Sequence, residues 1–256
     1  GIGYVPNSNP NLNFEYDGVN TYGDDINAGG AFRYPGDYGN VLLRNKVVTR
    51  TGYTELDVTG NNGKVFNNRA NASLHYKVAN NIEASVGWYY GNGNFIRTAD
   101  FPDYRRHQIK AELKGDDFFV RAYTTRQRAE GWNIGQVATA INNAWKPLNQ
   151  WATEFGQAYV ENKVSIDDAR SVANRGRYAP GSVNFNRVRD AFANTYTTDS
   201  VPGYRAKGLR FRDNSALWHY EGMYNLTKLA NNVAEVIVGG SVRRYTLNTG
   251  GTAVTR

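Results

Sequence analysis

From Arg69 onward the chain alternates. Ala70, Ala72, Leu74, Tyr76 and Val78 are small or apolar, whereas Asn71, Ser73, His75 and Lys77 between them are polar. After Ala79-Asn80-Asn81 the pattern resumes, with Ile82, Ala84, Val86, Trp88 and Tyr90 set against Glu83, Ser85, Gly87 and Tyr89. Successive side chains of a strand point to opposite faces, so this spacing predicts strands with one apolar and one polar face. The same period predicts strands over 47–59, 67–78, 82–97, 104–115, 117–128, 215–228 and 234–247. Ile109, Ala111 and Leu113 carry it before the Lys114-Gly115-Asp116-Asp117 turn, and Phe118, Val120 and Ala122 after it. Later, Ala216, Trp218, Tyr220, Tyr224 and Leu226 precede Val236, Val238 and Val242. Strands of about ten residues or more exceed the five or six common in soluble sheets. Long strands with short turns at one end and long loops at the other predict an all-β fold, a partial transmembrane antiparallel β-barrel.

Two segments break the pattern. Residues 1–46 are rich in Gly, Asn, Pro and Asp with little periodicity, and read as an irregular loop or linker. Five barrel strands are then expected in 47–128, a long extracellular loop in 129–214 and two further strands in 215–256. Within the loop, Ile134, Val137, Ala138, Ile141 and Trp145 fall at helical spacing, as do Trp151, Phe155 and Tyr159. Ser165 and Asp168 resemble a capping box, with Gly176 as a stop. Phe185, Val188 and Phe192 suggest a fourth short helix after Pro180-Gly181-Ser182. The loop is therefore expected to form an ordered helical cap, with Trp145, Trp151 and Phe155 in its core.

Composition fits this picture. Hydrophobic residues make up 40% of the 256, and mean hydropathy is −0.62, as expected if apolar residues occupy every second strand position. No apolar run approaches the ~20 residues of a spanning helix, so a closed barrel is the route by which the sequence would enter a bilayer. The 18 tyrosines and 5 tryptophans suit rings with one wet end. Cysteine is absent, which excludes disulfides and thiolate metal sites. The net charge of +7 is scattered, without the dense basic patch of a nucleic-acid binder. Seven strands fall short of the even-numbered barrels of eight or more. With Gly1 opening the sequence and no leader, a processed or internal piece is expected, and the missing strands favour an internal piece of a longer polypeptide.

The candidate chemistry is sparse. There is no nucleophile elbow, phosphate loop or H-E-x-x-H, and no catalytic constellation, so an enzyme is not expected. His75, His107 and His219 lack ligand spacing. Asp17, Asn20, Asp24 and Asp25 form the best oxygen cluster for Ca²⁺ but do not match a 12-residue calcium loop; no other cofactor is expected. Lys77, Glu83, Lys110, Glu112, Arg121, Arg126, Glu221 and Arg243 are assigned to an aqueous lumen. At mid-depth in lipid an Arg or Lys costs about 2–4 kcal/mol. Trp132, Tyr159 and Tyr178 are the candidate substrate-stacking rings of the long loop.

Several segments resemble TonB-dependent outer-membrane transporters, in particular the large Bacteroidota type. They are Asp17 to Asp25, Leu113 to Gln127, Ala144 to Trp151, Glu221 to Leu226 and Val242 to Gly251, within a similarity covering most of 15–251. The resemblance implies the early part of a 22-stranded barrel, following a plug that this chain lacks. It implies nutrient import across the outer membrane without catalysis, driven through TonB by regions absent from this chain. Outer-membrane lipid and a surface lipoprotein or lid are the implied partners. The alternative is a barrel that serves as a scaffold in a surface complex and transports nothing itself. A soluble β-sandwich would instead require the apolar faces to meet in a dry core.

Overall fold

The computed structural model describes residues 14–15, 21–25, 29–60, 64–96, 99–162, 164–229 and 233–253. In chain order the elements begin with β1 (Thr21–Tyr22), β2 (Ala31–Arg33), β3 (Val47–Thr49), β4 (Tyr53–Thr54) and α1 (Glu55–Thr59). Four long strands follow: β5 (Asn67–Ala79), β6 (Ile82–Ile96), β7 (Ala99–Gly115) and β8 (Phe118–Asn133). Then come α2 (Ile134–Trp145), α3 (Leu148–Glu161), α4 (Ile166–Ala173) and α5 (Val183–Asn194). Strands β9 (Arg210–Asp213), β10 (Ala216–Asn225) and β11 (Ile237–Thr246) complete the series. The chain divides into two compact units: residues 1–64, 97–100 and 132–210 form one, and 65–96, 101–131 and 211–256 the other.

In the first unit the helical stripes become α2 to α5. Polar caps set the starts of α2, α4 and α5: Asn133, Ser165 and Ser182 accept the backbone N–H of Gln136, Asp168 and Phe185, filling donors a helix leaves unpaired. Trp151 and Phe155 of α3 stack with ring centroids 5.5 Å apart. They share a core with Ala169 and Ala173 of α4 and with Tyr34, Leu43 and Val48. A large apolar side chain so buried stabilises the fold by about 1.5–3 kcal/mol. Described residues of the segment expected to be a linker, Tyr34 and Leu43 among them, thus supply part of a core. Residues 47–59, expected as one strand, hold β3, β4 and α1. Thr54 and Asp57 form a capping box, and Gly60 closes α1 in the left-handed region at φ 62°. Polar side chains join these segments to the helices. Arg50 Nη2 donates to the carbonyls of Asn142 (2.8 Å) and Lys146 (3.0 Å), and Arg170 Nη2 donates to that of Phe14 (2.8 Å).

The second unit is built on an antiparallel sheet in the order β11-β10-β8-β7-β6-β5, with β9 also on β8. The turns Asn80-Asn81 and Asp116-Asp117 join β5 to β6 and β7 to β8 in two residues each, short enough to lock register. Register is regular from Asn67 opposite Gly93 to Lys77 opposite Glu83, and from Ala216 opposite Arg126 to Tyr224 opposite Phe118.

The expected fold class needs correction. Among the described residues five helices take up 23% and strands 44%, so the fold is mixed α and β. The seven-stranded antiparallel sheet is open, and among the described residues no barrel closes. Both departures have physical causes. The 134–194 helices bury their stripes with residues from 29–60 in a core of their own, so they are more than a loop on a β fold. Among the described residues β5 and β11 lie at opposite ends of the strand order, where their outer backbone groups have no strand beside them.

Candidate functional site

The two faces of the long sheet differ in chemistry, and register determines which residues share each. On one face Ala72 stands opposite Trp88, Leu74 opposite Val86 and Tyr76 opposite Ala84. Tyr220 stands between Ala122 and Val242, and Gly222 between Val120 and Gly240. These side chains are apolar yet open: Leu74 is 74% exposed, Val86 52%, Val120 58% and Val242 67%. On β5 and β6 the uncharged stretch runs from Ala70 to Val78 and from Ile82 to Tyr90, about 27 Å of strand. Aromatic pairs stand near both ends. Trp88 stacks on Tyr90 (5.9 Å, 6°) and Phe118 on Tyr224 (6.3 Å, 12°). Among the described residues, charge enters this face toward the end remote from the short turns, where Arg126 opposes Ala216 and Arg244 opposes Trp218.

The opposite face carries a chain of charges across four strands. Lys110 Nζ lies 3.1 Å from Glu112 Oε2. Arg121 Nε donates to the same oxygen, while its Nη1 donates to Glu221 Oε1 at 2.7 Å. Glu221 Oε2 is 3.2 Å from His219 Nε2, and Arg243 Nε donates to His219 Nδ1 at 3.0 Å. The ring must therefore accept at Nδ1 and donate from Nε2. It is 2% exposed and tilts against Tyr123 at 4.7 Å. Nearer the turns, Lys77 stands opposite Glu83, whose Oε1 is 2.8 Å from His75 Nδ1. Exposed pairs of this kind are worth ~0.2–1 kcal/mol each; a shared network holds its members in fixed geometry as well.

Of the eight residues assigned to the polar face, Lys77, Glu83, Lys110, Glu112, Arg121, Glu221 and Arg243 share it. Arg126 does not: it lies five residues from Arg121, an odd spacing that places it on the apolar face. His219, whose spacing favours polar lining over a metal site, alternates with Glu221 on the same face and joins the network. The three loop aromatics belong to the first unit. Trp132 is buried. Tyr159 packs on Phe155 (6.1 Å) and against Phe14 (5.2 Å). Tyr178 is half-buried, and its carbonyl accepts the Tyr53 hydroxyl at 3.0 Å. Of the calcium candidates, Asp17 and Asn20 lie outside the described residues. Asp24 is buried and accepts the Thr21 hydroxyl at 2.6 Å, and Asp25 is half-buried. Among the described residues no group of three or more His, Cys, Asp or Glu is arranged to hold a metal. Comparison with protein-family models, curated proteins and solved structures finds no match for this chain.

Proposed function

We propose that this chain is a portion of a TonB-dependent outer-membrane receptor that imports a nutrient across the outer membrane, with no catalytic step of its own. The observation that carries the reading is the segregation of the sheet's faces. An apolar face that stays exposed over strands this long suits lipid, flanked by rings whose polar ends favour the membrane interface. The opposite face, with its linked Lys110, Glu112, Arg121, Glu221, His219 and Arg243, suits water.

Membrane fractionation of the native protein tests the reading. The expected result is outer-membrane sedimentation that survives an alkaline carbonate wash. Recovery in the periplasmic or cytosolic fraction, or release by the wash, would sink it.

A further inference from the structure

Where β6 passes the first residues of β5 and β7, the polar face sinks into a cleft of about 520 Å³, within the ~300–1,000 Å³ of small-ligand sites. Its floor follows from two glycines. Gly91 and Gly93 alternate on this face opposite Arg69 and Asn67, so no side chain of β6 fills the space there. Gly93 is required by contact, since a Cβ would come 2.6 Å from the Phe66 carbonyl oxygen; Gly91 has room, its nearest such neighbour being Asn68 O at 3.8 Å. The walls are aromatic. Tyr89, Phe95 and Tyr104 line the cleft; Phe95 is held by stacking on Phe101 (4.3 Å) and by an edge contact with Tyr104 (5.8 Å). Among the described residues the charged lining consists of Arg69 and Arg106, with Gln108 beside them and no acidic residue.

That charge distribution differs from the rest of the face. Arg121 and Arg243 are engaged by Glu112, Glu221 and His219, whereas among the described residues Arg69 and Arg106 have no carboxylate within ion-pair distance. Two guanidiniums without counter-ions, in a cleft walled by rings, complement an anion that also has an apolar face. Guanidinium binds carboxylate in a planar fork, and the rings offer flat apolar contact.

We propose that this cleft binds a small ligand in which a carboxylate sits beside a flat, largely C–H ring face. The inference deepens the receptor reading and rests on it only for the claim that the bound molecule is cargo. Two kinds of molecule carry this chemistry, uronic-acid sugars and aromatic carboxylic acids. Trigalacturonate and N-acetylphenylalanine probe them, with maltotriose and N-acetylphenylalaninamide as their uncharged counterparts.

Calorimetric titration of the purified chain should show binding of at least one acid, at least tenfold tighter than its uncharged counterpart and weakened by salt. Arg69→Gln combined with Arg106→Gln should weaken that binding at least tenfold. Gly91→Leu, which keeps both charges but fills the floor, should abolish it. Circular dichroism shows whether each variant keeps the wild-type fold. No binding of either acid at millimolar concentration would overturn the proposal. So would equal binding of the uncharged counterparts, or an affinity unchanged in the folded double-arginine variant. Fractionation and titration are independent, so a chain that binds the acid but leaves the membrane rejects the receptor reading alone. A membrane-resident chain that binds neither acid rejects the cleft alone.

Discussion

Val86 occupies the middle of the uncharged Ile82–Tyr90 stretch, about 14 Å along the strand from either end. It faces Leu74 across the strand pair and is already 52% exposed. Val86→Arg therefore creates no steric conflict, and its effect depends on what lies against the face. In water the new guanidinium stays hydrated, and the expected change is within ~0.5 kcal/mol. In lipid the distance to either edge exceeds what an arginine stem spans, so the side chain cannot snorkel fully. The cost is then about 2–4 kcal/mol, or ~30-fold to ~900-fold in the folded-to-unfolded ratio. Ser85→Arg is the internal control. It is the adjacent residue, it points to the polar face opposite His75, and it should stay within ~0.5 kcal/mol. Urea unfolding of both variants in phospholipid vesicles measures the difference. Equal midpoints for the two variants would refute the assignment of faces to lipid and water.

The charge network should behave as a unit. A double-mutant cycle between Arg121→Ala and Glu221→Ala, read by denaturant unfolding, should give a coupling larger than that of the exposed Lys77 and Glu83 pair; a value no larger would dissolve the network into separate surface contacts. In the first unit, burial raises Tyr34, whose hydroxyl donates to the Ala152 carbonyl at 2.6 Å, above the ordinary tyrosine range. Burial raises Tyr53 too, against the pull of Arg177 and Arg50. A phenol whose folded pKa exceeds its unfolded value of 10.0 contributes its full stability below about pH 10 and loses it as the pH climbs further. Tyrosinate absorbance in an alkaline titration should therefore leave these two groups un-ionised until the fold opens. Early, fully reversible ionisation of every tyrosine would contradict their burial.

Much of the second unit was legible because a strand announces itself by parity. The predicted segments 67–78, 82–97, 104–115 and 117–128 overlap β5 to β8, and Val238 and Val242 fall on one face of β11. Arg126 shows where parity is lost. Thr124, Thr125, Arg126, Gln127 and Arg128 contain no apolar residue to carry the phase, so polarity suggested one face while register gives the other. The helices were legible from stripes and caps. What they pack against was not, because β1 to β4 have two or three residues each, too short for any period. Their position depends on distant contacts, such as Thr21 opposite Thr54 and the Arg50 and Arg170 hydrogen bonds to carbonyls. The Thr54 and Asp57 box before Gly60 was a readable signal for α1. The cleft at Gly91 and Gly93 was harder to see, since it arises from missing side chains on one strand beside rings and guanidiniums from two others.

The absence of cysteine makes one measurement especially direct: single cysteines at each position from 82 to 90, spin-labelled in the native protein reconstituted with phospholipid vesicles. The account predicts a two-residue period in accessibility. Labels at 84, 86 and 88 should collide readily with oxygen, which concentrates in lipid, and poorly with a water-soluble nickel chelate; labels at 83, 85 and 87 should do the reverse. Equal nickel accessibility on both sets would place the apolar face in water and contradict the central claim.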